Sequence, residues 1–153
     1  MTQRLNFFQA APDIYKAVFA LSRTVGEGID PGLVHLMELR ASQINHCAYC
    51  LDMHTKDARH AGVSEEKISM VAAFEEAEEF FTAKERAALA LTESVTVLTD
   101  GHVPDAVYER AAAHWNEQEI AQLIGVIATI NTWNRLNVAA RTPGGHYKPG
   151  MHG

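Results

Sequence analysis

With 153 residues and a formal charge of −6, the chain has the length of one domain, 1–153, and lacks the basic footprint that nucleic acid or an anionic membrane requires. Apolar residues make up 47 % and charged ones 21 %, which suits a packed globule and excludes a disordered chain. The longest apolar stretch, Ile120 to Ile130, is broken by Gln122 and Thr129 and falls well short of the ~18 residues that a membrane span needs.

Helical punctuation runs through the chain. Met1 to Tyr15 shows no signal-peptide pattern, so a cytoplasmic location is expected. Pro12-Asp13 opens a first helix to about Thr24, broken by Gly26 and Gly28. Asp30 as cap and Pro31 at the first helical position begin a second, to about Ile44, with Leu33, Leu36, Met37, Leu39 and Ile44 as its apolar positions. Asn45 is read as the cap of a third helix, His46 to His60, which Gly62 ends. Ser64 caps a short fourth helix. Thr82 and Glu85 form a capping box before a fifth, which runs through Leu98, and Pro104 opens a sixth. Asn116 and Glu119 make a second capping box before a long apolar helix ending near Ala140. From Thr142 onward the Pro and Gly content predicts an extended strap. No segment with strand periodicity competes, so the fold class is all-α, with six to seven helices. The acidic run Glu75, Glu76, Glu78 and Glu79 reads as a solvated face.

The two cysteines, Cys47 and Cys50, stand three apart in the first turn of a helix. Backbone N–H groups and the helix dipole favour thiolate there, which makes this position suited to redox chemistry. At about 100° per residue, Cys47, Cys50 and His54 share one face, and His54, one turn beyond Cys50, can accept its proton. An i, i+3 pair can also close into a disulfide. Asp57 continues the face and is read as a surface carboxylate. On the preceding helix His35, Glu38 and Ser42 form a polar stripe, which either meets solvent or lines a cleft beside the cysteines; periodicity does not choose. A zinc site from the two cysteines with His46, His54 or His60 is disfavoured, because His60 faces away and no second Cys pair exists. No metal, flavin, haem or nucleotide is expected to be bound.

The run from Glu38 to His54, with its Cys47-Ala48-Tyr49-Cys50 core, closely resembles the central motif of the alkyl hydroperoxidase D and carboxymuconolactone decarboxylase superfamily. Asn131-Thr132-Trp133-Asn134-Arg135 and Arg141-Thr142-Pro143 resemble that family's C-terminal part, whereas the first 28 residues add little. The resemblance implies an AhpD-like helical fold and a thiol-dependent alkyl hydroperoxide reductase acting in antioxidant defence. It also implies that Cys50 attacks the peroxide, Cys47 resolves the sulfenic acid, and His54 belongs to a proton relay. The family's relay glutamate falls at His35, so His35 or Glu38 is expected to replace it. Tyr49 stands where the family often has another relay or gating side chain. The resemblance further implies a lipoyl-type or thioredoxin-type dithiol donor and a homotrimer or homohexamer. Two other classes remain: a redox adaptor or oxidant sensor, and a decarboxylase-type lyase, whose members usually lack the cysteine pair.

Overall fold

The computed structural model describes residues 2–151. Among these, eight α-helices follow one another without a strand: α1 Phe7–Ala10, α2 Pro12–Val25, α3 Pro31–Ile44, α4 Ala48–His60, α5 Glu65–Met70, α6 Ala83–Thr96, α7 Asp105–Ala112 and α8 Glu117–Ala140. A 3₁₀ turn at Val71–Ala73 extends α5. The all-α reading therefore holds, with one helix more than expected. The addition is α1, a single turn capped by the Asn6 side chain, too short to carry a readable period. The fifth predicted helix ends at Thr96 rather than Leu98.

The capping signals work as anticipated at most ends. Asp30 accepts from the Leu33 N–H, and the Thr82–Glu85 and Asn116–Glu119 boxes are both reciprocal, each satisfying donors that a helix start leaves orphaned. The start of α4 is different. Asn45 closes α3 instead of opening α4, and the α4 cap is Cys47, whose Sγ accepts the Cys50 N–H at 3.3 Å. The chain turns between the two helices at His46, which is left-handed with φ 55°. Asn45 is thereby freed to donate to Asn131 and Asn134 of α8, each at 2.9 Å.

The core is built by α3, α6 and α8, with Leu36 and Met37, Leu89 and Leu91, and Leu123 and Ile127 fully enclosed. Burying side chains of this size stabilises by about 1.5–3 kcal/mol each. Helix α2 lies across α8 at close range: a Cβ on Gly125 would come within 2.9 Å of Val25. No residue of α1 or α2 is buried, so this pair covers the core's edge without contributing to its centre. Among the described residues the segment after α8 has no helix, as expected of a strap. It crosses α4, where a Cβ on Gly144 would meet the Ala48 carbonyl at 3.2 Å. Among the described residues no helix is long and apolar enough to cross a membrane.

Candidate active site

The α3–α4 corner sets the cysteines against α8. Cys47 and Cys50 are joined as a disulfide with Cα atoms 5.3 Å apart, and both are enclosed, at 1 % and 0 % exposure, by Ala41, Ile130, Tyr49 and Trp133. The pair reads as two different sulfurs. Cys47 Sγ sits on the helix start and accepts a backbone N–H, a setting that favours negative charge. Cys50 Sγ accepts from the Asn137 side chain of α8 at 3.8 Å, and His54 follows one turn along the same helix. Sequence reasoning missed Asn137, since nothing in the periodicity of α8 distinguishes it from its polar neighbours.

The polar stripe of α3 lines the cleft. Glu38 Oε2 stands 3.1 Å from His35 Nδ1 and 3.0 Å from His54 Nδ1, so the carboxylate lies between the two rings and both candidates for the relay's outer member are present together. The His35 contact is a hydrogen bond. The His54 contact is too oblique to be one, and His54 Nε2, equally buried, has no hydrogen-bond partner among the described residues. Burial would raise the Glu38 pKa, but the two imidazoles, His54 foremost, hold it down at about 2. The carboxylate is charged throughout the working range. Burial pushes the His35 pKa down, and Glu38 more than offsets this, leaving it above the ordinary imidazole value. Ser42, the third member of the stripe, is fully buried; its hydroxyl donates to the Glu38 carbonyl and accepts from Asn134.

A cavity of about 750 Å³ opens beside this cluster. Its apolar walls come from Phe7 and Phe8 of α1, Tyr15 and Phe19 of α2, Met53 of α4 and Trp133 of α8. Tyr15 meets both Phe8 and Trp133 edge-on, and the Trp133 indole donates to Ser22. The first 28 residues, unremarkable as sequence, thus supply one side of the cavity. His35, Glu38, His54, Tyr49 and Asn137 also line it, whereas neither cysteine does. Tyr49 lies between the cavity and the cluster around the cysteines, and burial raises its pKa, so the phenol is neutral.

Asp57 departs from its expected role. Its carboxylate accepts the Tyr147 hydroxyl at 2.8 Å, and both residues line the cavity. Burial first and Asp57 second raise the Tyr147 pKa. The strap is fixed at two further points of α4: Lys56 Nζ donates to the Tyr147 carbonyl, and the Gly145 N–H donates to Asp52. The cysteine–histidine zinc set weighed from sequence does not assemble, with His60 exposed at the far end of α4. Of the acidic run, Glu75 pairs with Arg110 and Glu78 with Arg86 at the surface.

The sequence profile described as the carboxymuconolactone decarboxylase family matches residues 12–94. An uncharacterised protein of Bacillus subtilis, YdfG, is 36 % identical over 91 % of this chain and 95 % of its own. The crystal structure of ATU0492 from Agrobacterium tumefaciens superposes with a TM-score of 0.91 at 38 % identity, covering 95 % of this chain and all of that one. ATU0492 is of unknown function and has been proposed to be the antioxidant defence protein AhpD. The debrominase Bmp8 shares the fold at a TM-score of 0.77 and 21 % identity, over 91 % of this chain and 75 % of that one.

Proposed function

Within the carboxymuconolactone decarboxylase family, to which this chain belongs, we propose that it acts as a thiol-dependent hydroperoxide reductase of AhpD type. The observation that carries this reading is the joining of a disulfide-forming pair to the His54–Glu38–His35 chain beneath an apolar cavity. In the reduced state His54 carries its proton on Nδ1, facing the Glu38 carboxylate, and its unpartnered Nε2 takes the Cys50 proton. The Cys50 thiolate attacks the distal oxygen of a hydroperoxide. The O–O bond breaks, the imidazolium returns its proton to the leaving alkoxide as the alcohol departs, and Cys50 is left as a sulfenic acid. Cys47 then attacks that sulfur and releases water, and the resulting disulfide is reduced by two electrons from an external dithiol.

Geometry supports His54 as the base: its ring lies one turn beyond Cys50 on α4 and 3.0 Å from the Glu38 carboxylate. Asn137, donating to Cys50 Sγ, stabilises the thiolate. Tyr49 and Asn137 stand over the sulfurs, so entry of the peroxide requires them to shift. The burial of both sulfurs favours a peroxidase over an adaptor, which must offer a sulfur to another protein's surface. A slender lipoyl-type arm fits such an enclosed disulfide better than a thioredoxin-type protein does. The chemistry needs no resident cofactor. A cytoplasmic setting, where thiols are kept reduced, and a homotrimer or homohexamer complete the proposal.

Peroxide consumption assayed with dihydrolipoamide and with thioredoxin, side by side, tests the reading. Turnover with dihydrolipoamide is expected. Turnover with neither donor, while peroxide still oxidises the cysteines once, would leave the sensor reading.

A further inference from the structure

Around Glu38 the three donor atoms, His35 Nδ1, Glu38 Oε2 and His54 Nδ1, all lie within 4.8 Å of one another. Two of the separations are 3.0 and 3.1 Å. Ligand atoms held at about 2.1 Å from one metal ion and about 90° apart are separated by roughly 3.0 Å. The oblique approach of Glu38 to His54 Nδ1 matters here. Two ligands of one metal point their lone pairs at the ion rather than at each other, which suits the His54–Glu38 pair as it stands, while the His35–Glu38 pair would exchange its hydrogen bond for the ion. His54 is 4 % exposed, and its neighbours His35 and Glu38 open onto the cavity, where water or another small ligand has room to complete a coordination shell.

We propose that His35, Glu38 and His54 form a binding site for a divalent transition-metal ion of the zinc or cobalt type, and that its occupation switches the thiol chemistry off. Two imidazoles and one carboxylate suit borderline metals such as Zn²⁺, Co²⁺ or Fe²⁺, and not Mg²⁺ or Ca²⁺, which take oxygen shells. The switch follows from the imidazole itself. Coordination through Nδ1 places the ring's only proton on Nε2, leaving no lone pair there to receive a proton from Cys50. Metal and proton relay therefore exclude each other at His54. The cysteines are not required as ligands, since the triad is assembled with both of them held in the disulfide. This is a different site from a cysteine–histidine zinc centre. The binding half of the proposal is independent of the peroxidase reading, and the inhibitory half rests on it.

The disulfide form of the protein provides a clean test, because its sulfurs are unavailable to metal. Titration with Co²⁺ alone should develop visible absorption bands that saturate at one ion per chain and disappear when Zn²⁺ is added. Glu38→Gln and His35→Ala should both lose the bands, and His60→Ala, which alters an exposed histidine outside the site, should keep them. Circular dichroism identifies any variant that has failed to fold. His35→Ala, altering a partly exposed ring, then decides alone if Glu38→Gln is that variant. In the second arm, Zn²⁺ at ten times its dissociation constant should reduce peroxide turnover about tenfold, and a chelator should restore it. Absence of saturable binding, or bands that survive in His35→Ala and Glu38→Gln, would overturn the site as an adventitious one. Binding that leaves turnover unchanged would overturn the switch. A protein that binds Co²⁺ through the triad but consumes no peroxide even when metal-free keeps the site and removes the peroxidase reading instead.

Discussion

The α3–α4 corner and the wall that faces it across the cavity are made in opposite ways. In the corner, His35, Glu38, Cys47, Cys50 and His54 come from one continuous stretch of two helices, and their spacing along the chain sets their spacing in space. The wall is assembled from the two ends of the molecule. Phe7, Phe8 and Tyr15 come from the N-terminal arm, Trp133 and Asn137 from the end of α8, and Tyr147 from the strap. Each depends on contacts between residues far apart in sequence, such as Trp133 to Ser22, Tyr147 to Asp57 and Arg4 to Ala140. The difference teaches that, on the proposed function, the chemistry rests on a local motif, while the space offered to a substrate is a product of the whole fold.

Substitutions should reproduce that division. Cys50→Ser is expected to have the largest effect, taking peroxide consumption to background and abolishing sulfenic acid trapping, whereas Cys47→Ser should leave a trappable sulfenic acid on Cys50. Dimedone labelling followed by peptide mass analysis reads this. The helix-start position of Cys47 makes the assignment a sharp one, since a label on Cys47 would reverse the order of the two sulfurs.

Glu38→Gln should cost about 10²-fold in kcat/KM, as expected when an acid–base group loses its charge partner. The same variant carries a pH signature. The native pKa of Glu38, about 2, lies below the ~4.3 of a free glutamate. Its stabilising contribution is therefore complete above that ordinary value and disappears as pH falls toward 2. Urea unfolding midpoints between pH 5 and 2.5 should drop more steeply for the native protein than for Glu38→Gln. Parallel curves would show that the carboxylate has no favourable charge partner in the folded state.

Wall substitutions should act on binding and order, and leave the chemical step nearly intact. Tyr147→Phe removes the bond to Asp57 and should destabilise by about 1–2 kcal/mol, with faster proteolysis of the strap as the local sign. Phe8→Ala alters an exposed ring and should raise KM for a bulky organic hydroperoxide by about threefold, with kcat for hydrogen peroxide unchanged. If Phe8→Ala lowered kcat for hydrogen peroxide as strongly as Glu38→Gln does, the corner and the wall could no longer be separated.

Legibility in the sequence follows the same line. The seven longer helices could be read because caps and apolar periods are local signals, and Cys50 and His54 could be placed together because one helical turn separates them. The cap of α4 is not legible locally, because Asn45 and Cys47 are both able to cap, and the choice is made by two asparagines of α8 more than eighty residues away. The stripe of His35, Glu38 and Ser42 was visible as a pattern, but only α4 and α8 packing against α3 determine that it faces a cleft. Asn137 and Tyr147 carry no local mark at all. Their roles come from where α8 ends and where the strap crosses α4, which is tertiary information.

The fastening of the N-terminal arm to the end of α8, and of the strap to α4, has a consequence for biosynthesis. The Arg4 N–H donates to the carbonyl of Ala140, the last residue of α8, and the strap beyond it is tied to Asp52, Lys56 and Asp57. On the ribosome the dithiol helix emerges long before α8 and the strap exist, and the N-terminal arm has nothing to close against until they do. The two cysteines are therefore made early and enclosed late. Until the strap has left the exit tunnel, the nascent chain carries an open α3–α4 corner, and the state of its two sulfurs depends on the reducing capacity of the surroundings and on how fast the strap follows.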